Sequence, residues 1–380
     1  MPTTSATKTS NTNTVYARQI GFAAAFLLPA AKLLEAPSLL ATHAKGDILL
    51  PALLHFLVQA LVLLGVLYAV SRSEKPLAER LQTLLGKGAI VLYVLYALYF
   101  LFALVLPLFD LEKFVYAAFF DTAPTTFAFF VFFFLSAFIA TKGIKAVGRC
   151  ADLCLFLFLL PFLALILMSL VEADFSHLLP LFGTKFEHVG KAFFRTTPHF
   201  SDAILLLPLI ANLRYKEGDG KKIMLGYGGG ALFTLLFLAV FFSIFSSIAP
   251  REHYAFLKIA QYFPALAVVG RIDLVFVYFL SVVLLFYTCL PLHYSVLLTA
   301  KTFKTEKRVW IAAAFSLALL IAVFFLNKYY NTIYTLISGK LSPVFLVFAD
   351  MLPLFCLFLP TEKPKPYPTL YKRKKENSHG

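Results

Sequence analysis

Long apolar runs dominate this sequence, and they restrict its possible folds more than any other feature. A helix needs about 20 mostly apolar residues to cross a bilayer, and many such runs follow one another between short basic connections. The stretch FAFFVFFFLSAFIA at 127–140 shows none of the alternation of a membrane β-strand. Only 14% of the residues are charged, against roughly 25% in a soluble domain. The sequence therefore predicts an all-α membrane protein with several spanning helices.

Three regions follow from this pattern. Residues 1–14 are polar and rich in Ser and Thr, which predicts a disordered N-terminus. Residues 15–360 form the transmembrane domain, and residues 361–380 form a basic tail. Within the domain we predict about ten transmembrane helices, near 16–34, 48–70, 89–118, 123–140, 151–172, 196–212, 224–248, 271–297, 309–326 and 342–360.

Basic residues predict the orientation of these helices. With both termini on one side, the segments on that side carry 23 of the 34 Lys and Arg residues, and the opposite loops carry ten. By the positive-inside bias, both termini are expected in the cytoplasm. The net charge of +14 is then explained by this bias and by contact of the basic tail with anionic lipids, with no nucleic acid as partner.

Two of the predicted helices contain residues that interrupt helices. The first contains Gly21 and Pro29, and the sixth contains Pro198 and Pro208. They are five helices apart, and paired breaks at matching positions are typical of inverted-repeat transporters that bind their ligand at the breaks. We therefore expect unwound backbone at 21–29 and 198–203, where free N–H groups would receive a ligand carboxylate.

Five stretches in order carry a family resemblance: LAERLQTLLGK (77–87), YVLYALYFLFALVLPLFDLEKFVYAAFFDTAP (93–124), TKGIKAVGRCADLCLF (141–156), LLPLFGTKFEHVGKAFFRTTPHFSD (178–202) and GRIDLVFV (270–277). Over roughly residues 15–360 the chain resembles the spore germination permease family, the B subunits of spore germinant receptors. This family lies within the amino acid–polyamine–organocation (APC) superfamily. Relatives often carry glycine and glutamate in the sixth-helix break, where this chain has Phe200-Ser201-Asp202.

The resemblance implies a LeuT-like fold of ten helices in a 5+5 inverted repeat, located in the cell or spore inner membrane. It implies a small nutrient ligand of the amino-acid type, and A-type and C-type germinant-receptor subunits as partners. The expected function is nutrient sensing that triggers germination. An H⁺- or Na⁺-coupled amino-acid transporter is the alternative, because the same cavity serves both activities.

The candidate ligand-binding residues lie at the expected breaks and on the helices that the fold places around them: Gly21, Phe26, Tyr96, Tyr99, Phe200, Ser201, Asp202, Tyr287 and Thr288. An ionisable group such as Asp202 is costly at membrane depth and is a functional candidate for that reason. Asp202 could instead cap the second half of the sixth helix.

Other polar residues have plainer explanations. Tyr96 and Tyr99 are spaced to share a helix face and could form an aromatic packing stripe. His199 is expected to be a hydrogen-bonded structural residue, and Asp350 could hold a proton or pair with a neighbouring helix. No arrangement of nucleophile and base, metal-ligand cluster or phosphate-binding loop is present, so we expect neither an enzyme nor a bound cofactor.

Overall fold

A computed structural model describes residues 15–73, 75, 77–119, 133–134, 136–180, 182–262 and 273–359. The predicted N-terminal disorder at 1–14, the basic tail, most of the predicted fourth span and the start of the eighth lie outside these residues. Within the described part every regular element is a helix, and the one extended pairing is an isolated bridge between Val15 and Leu213. The predicted all-α fold class is confirmed.

The helices are, in chain order, α1 Ala17–Ala30, α2 Ala36–Ala44, α3 Leu49–Ser71, α4 Leu77–Leu85, α5 Gly88–Phe119, α6 Ile144–Ser169, α7 Phe186–Phe200, α8 Leu207–Ala211, α9 Asp219–Phe245, α10 Ala255–Tyr262, α11 Asp273–Thr302, α12 Arg308–Leu326, α13 Tyr330–Ile337 and α14 Ser342–Phe345. Short 3₁₀ segments extend several of them, at Ala31–Leu33, Ser201–Leu206, Ser246–Arg251 and Leu352–Phe358. A π-helical segment, Leu346–Met351, follows α14.

Six described helices are long and apolar enough to span a bilayer, and the count rises to seven if the bent pair of α1 and α2 forms one span. They include α3 and α5, which match the predicted spans 48–70 and 89–118 to within one residue at each end. Segments 186–211 and 342–358 are assembled from shorter pieces. The ten-span count and the 5+5 repeat stay predictions.

The centre of the bundle is α1, which is buried along nearly its whole length. It packs closely against α9 because glycines face it: a Cβ at Gly226 would lie 2.1 Å from the Gly21 carbonyl oxygen, and one at Gly230 would lie 2.7 Å from that of Ala24. Close backbone approach through small residues is how membrane helices gain packing energy. On the other side of the core α5 packs against α11, where Ser295 donates a hydrogen bond to the carbonyl of Ala97.

The expected unwinding at 21–29 and 198–203 is wrong. Residues 17–30 form one continuous α-helix because Pro29 lies in its last turn and removes only one hydrogen bond. The chain then tightens into a 3₁₀ turn and bends by 65° into α2. In the second segment Pro198 lies inside α7, and the helix changes from α to 3₁₀ geometry at Ser201. The two helices are thus interrupted by changes of geometry, at 31–35 and at 201–206.

Candidate ligand-binding site

The two helix interruptions bring a pair of opposite charges together inside the bundle. Lys32 lies in the 3₁₀ turn that follows α1, and Asp202 lies at the start of the 3₁₀ segment that follows α7. The Lys32 ammonium group donates hydrogen bonds to the Asp202 carboxylate and to the carbonyl oxygen of Leu28, the latter at 2.6 Å. A third helix contributes Tyr287, whose hydroxyl donates to the other oxygen of Asp202.

This cluster is almost completely removed from solvent. The exposed fractions are 0% for Lys32, 3% for Asp202 and 5% for Tyr287. The ammonium group also lies 5.1 Å from the ring centroid of Phe200 and 5.7 Å from that of Phe56, close enough for cation–π attraction. Bringing two charges into such a place is costly, and the mutual ion pair with its added hydrogen bonds offsets that cost.

Three of the predicted site residues meet at this cluster: Phe200, Asp202 and Tyr287. Tyr99 lies within electrostatic range of Asp202, and its ring stacks on Phe348 at 4.9 Å. The alternative that Asp202 caps a helix is wrong, because both of its oxygens bind side chains of other elements.

Other predicted residues lie elsewhere or have local partners. Gly21 faces the backbone of α9, and Phe26 packs against Phe286 on α11, with ring centroids 5.6 Å apart. Tyr96 donates a hydrogen bond to the carbonyl of Phe348 at 3.2 Å. The hydroxyls of Ser201 and Thr288 each donate to a backbone carbonyl one turn earlier in their own segments: to Thr197 at 2.7 Å and to Leu284 at 2.9 Å.

Sequence reasoning missed Lys32, because this residue lies at the end of the first predicted span, 16–34, and was counted only as one of the basic residues of the loop that follows. One signal could have identified it. Lys32 stands between AFLLPAA and the pair Leu33-Leu34, so apolar residues flank it on both sides. A lone lysine in such a position either reaches the membrane surface with its side chain or finds an internal partner. In this chain it finds Asp202.

Next to the cluster lies a small cavity, lined in part by Tyr287, Thr288, Asp110 and His199. Its volume of about 10 Å³ corresponds to about one water molecule. An amino acid does not fit into this space, so the conformation described here is closed around the cluster. Thr288 therefore lines the cavity next to the ion pair without touching the pair itself.

A second polar layer covers the far side of this cavity, and all of its acidic side chains are buried. The hydrogen-bonded pairs of this layer are Asp110 with Tyr330 at 3.4 Å, Glu112 with Asn327 at 3.2 Å, His199 with Tyr334 at 3.1 Å and Glu35 with His253 at 2.8 Å. The expectation of a hydrogen-bonded His199 is confirmed. His253 lies in a connection between helices, and its hydrogen bond to Glu35 raises the pKa of its imidazole. We call these eight residues the outer polar layer, in keeping with the predicted topology.

Metal binding finds no support in the described part of the chain, where no group of three or more His, Cys, Asp or Glu side chains converges. The four cysteines are free thiols. The arrangement can instead recognise an organic ion, because it offers one buried cation, one buried anion and aromatic faces. The cluster lies where two helices of a membrane bundle are interrupted. This arrangement is typical of the permease-like class of membrane proteins.

The family model for spore germination proteins matches residues 18–333. This chain belongs to the spore germination protein family, as the resemblance of its sequence motifs indicated. A search of curated proteins finds no match.

Several solved structures have a similar fold. A crystal structure of MhsT in complex with L-phenylalanine aligns with a TM-score of 0.65 at 13% identity, covering 91% of this chain and 89% of that one. A manganese transporter of Eremococcus coleocola, in complex with an aromatic bis-isothiourea compound, aligns with a TM-score of 0.51 at 13% identity, covering 90% and 78%. At such identities the likeness concerns the fold alone, and it confirms the predicted LeuT-like fold class.

Proposed function

We propose that this chain is the membrane subunit of a spore nutrient-germinant receptor, which binds a small nutrient and thereby triggers germination. The observation that carries the proposal is the cluster of Lys32, Asp202 and Tyr287, buried where two helices of a spore germination family member change geometry. Buried charges at membrane depth are costly, and they usually mark a ligand or ion pathway.

The proposed ligand class is an amino acid. Its carboxylate is able to replace Asp202 as the partner of Lys32, and its ammonium group is able to replace Lys32 as the partner of Asp202. A zwitterion can therefore enter between the two side chains and leave both charges paired. A ligand without charges would leave both of them unpaired, which costs several kcal/mol in a buried site.

Binding must be accompanied by a conformational change, because the cavity beside the cluster has a volume of only about 10 Å³. The Lys32–Asp202 pair links the end of α1 to the end of α7 and stabilises the closed state. An amino acid that pairs with both side chains stabilises an open state instead. This difference in affinity between two conformations is what a receptor needs to transmit a signal.

The partners proposed for that signal are the A-type and C-type germinant-receptor subunits, in the inner membrane of the cell or spore. Both termini would face the cytoplasm, where the basic tail at 361–380 would meet anionic lipids. The charge bias of the sequence supports this orientation.

Amino-acid transport coupled to H⁺ or Na⁺ is the second candidate function. The observation in its favour is the fold, which this chain shares with a manganese transporter. Uptake of a bound amino acid into vesicles that contain the purified protein would favour transport. Binding without uptake, together with a germination defect when the site is changed, would favour the receptor.

A thermal-shift screen of the purified protein against amino acids, sugars and nucleosides tests the binding step. We expect an amino acid to stabilise the protein, and Asp202→Asn to weaken its binding at least tenfold, about 1.4 kcal/mol. Asp152→Asn is the matched control, because it removes a carboxylate from the half-exposed pair with Arg18. Equal affinity in the wild type and Asp202→Asn would place the ligand elsewhere.

A further inference from the structure

Asp350 is a buried carboxyl group without a partner. It is 9% exposed, and it forms no hydrogen bond or ion pair with any other residue that the structure describes. It lies in the π-helical segment Leu346–Met351 of the last helix. Single π-helical turns inside helices are rare and occur frequently at functional sites. The carboxyl of Asp202, in contrast, is paired with an ammonium group.

Helix α5 contributes a second polar group that has no partner among the described residues. The hydroxyl of Tyr99 on α5 is buried and lacks a hydrogen-bond partner, and its ring stacks on Phe348 in the same π-helical segment. The π-helical segment also packs against the 3₁₀ segment Ser201–Leu206, which carries Asp202. This contact connects the surroundings of Asp350 with the Lys32–Asp202 pair.

A third unpartnered polar group lies on α3. A Cβ at Gly65 would lie 3.1 Å from Leu354 and 3.6 Å from Leu357, so α3 packs along the last helix. The same helix also contacts the π-helical segment, and Gln59 precedes Gly65 on it by six residues. Its Oε1 atom is buried and has no hydrogen-bond partner. Protein interiors rarely leave such groups unsatisfied, and three of them on elements that contact one another indicate a site that is completed by something else.

A proton is the species that fits best. An ionised carboxylate here would be an unpaired charge at membrane depth, which is strongly disfavoured. A protonated carboxyl is neutral and needs no cation beside it. No metal-binding group of three acidic, His or Cys side chains occurs among the described residues.

We propose that Asp350 is a proton-binding site that holds its proton in this closed conformation and releases it when the Lys32–Asp202 pair opens. The 3₁₀ segment Ser201–Leu206, which carries Asp202, packs directly against this π-helical segment, so opening of the pair changes the surroundings of Asp350. Titratable or charged groups on the elements around the segment include Tyr93 and Tyr96 of α5, His55 of α3, His199 of α7, Arg80 of α4 and, later in the same helix, Cys356. None of them forms an ion pair with Asp350 in the described structure.

Proton titration of the detergent-purified protein tests this proposal without any nutrient, so its outcome is independent of nutrient binding. The variants are Asp350→Asn and, as matched control, Glu187→Gln, which removes an exposed carboxyl from the first turn of α7. We expect the titration curves of wild type and Asp350→Asn to differ by one proton, bound at pH values at which free carboxyl groups are already ionised.

Three results would overturn the proposal. The first is a titration curve of Asp350→Asn that differs from that of the wild type only in the pH range of free carboxyl groups, about pH 4. The second is stabilisation of the wild type by Na⁺ or K⁺ over choline that disappears in Asp350→Asn, because the site would then hold a metal cation. The third is failure of Asp350→Asn to fold. The Asn amide is neutral and nearly isosteric with the protonated acid, so it should replace a protonated Asp350 without loss of the fold.

Discussion

The buried Lys32–Asp202 pair leads to the sharpest stability prediction. Lys32→Met removes the ammonium group, keeps most of the side-chain volume and leaves Asp202 with Tyr287 as its remaining partner. Asp202→Leu leaves Lys32 with the carbonyl of Leu28 alone. Because each change leaves an uncompensated buried charge, each should lower the free energy of unfolding by about 3–5 kcal/mol.

The double variant Lys32→Met/Asp202→Leu should recover most of this loss. It removes both charges together, and apolar side chains of similar volume often replace a buried ion pair at little cost. The Tyr287 hydroxyl then loses its acceptor, and this should lower the free energy of unfolding by about 1–3 kcal/mol. Unfolding in mixed detergent micelles gives the three differences, and we expect a coupling energy of at least about 3 kcal/mol.

The pair of Arg18 and Asp152 provides the control. Its atoms are 3.6 Å apart, and the two side chains are 67% and 29% exposed. Surface pairs of this kind are worth about 0–1 kcal/mol, so the same cycle at these positions should show little coupling. If the two pairs gave equal coupling energies, or if the single changes at Lys32 and Asp202 were harmless, the buried pair would not hold the closed state together.

Three further predictions concern packing, the aromatic stripe and pH. Gly226→Ala should destabilise the protein by about 1–3 kcal/mol, because its Cβ would lie 2.1 Å from a backbone oxygen of α1. Gly228→Ala is the control in the same unfolding assay. A Cβ at Gly228 would meet no described atom within 4 Å, so this change should be neutral or stabilising. Tyr99→Phe should leave stability nearly unchanged because the hydroxyl has no partner, and Tyr99→Ala should lower the melting temperature because the stack is lost. The hydrogen bond to Glu35 raises the pKa of His253, so its stabilisation should be fully present below about pH 6.5 and disappear as the pH rises through the raised value. Melting curves of His253→Gln against wild type across that range test the last point, and because the His253 side chain is 62% exposed the difference should stay under about 1 kcal/mol.

Hydropathy located the helices with long, uniform apolar runs. It failed where one helix carries both exposed charged residues and buried apolar residues. It placed α3 and α5 correctly because their apolar stretches end at polar residues. It started the sixth span at 196, whereas α7 starts at Phe186. The early turns of α7 bury only Val189 and Ala192 and expose charged residues, so the average hydropathy hides the helix.

The sequence predicted a candidate site at the helix interruptions, but it identified only some of the residues that meet there. Asp202 and Tyr287 were identified because an acidic residue beside a proline and a Tyr in an apolar helix are conspicuous in sequence. Gly21 was assigned to ligand binding, although a glycine that permits helix packing has the same sequence signature. The difference depends on which surface the glycine faces, and a sequence does not specify the rotation of a helix about its axis when apolar residues surround it on all sides.

The position of Lys32 shows why the helix interruption and the ion pair belong together. Had α1 continued as a regular helix, its backbone carbonyls would be occupied by i+4 amides. The helix instead ends at Ala30, just after Pro29, so the Leu28 carbonyl accepts the Lys32 ammonium group. That bond fixes the ammonium group over the ring of Phe200 and beside Asp202. A ligand that separates the pair must therefore also disturb the end of α1, and this coupling is how binding at the site would reach the rest of the bundle.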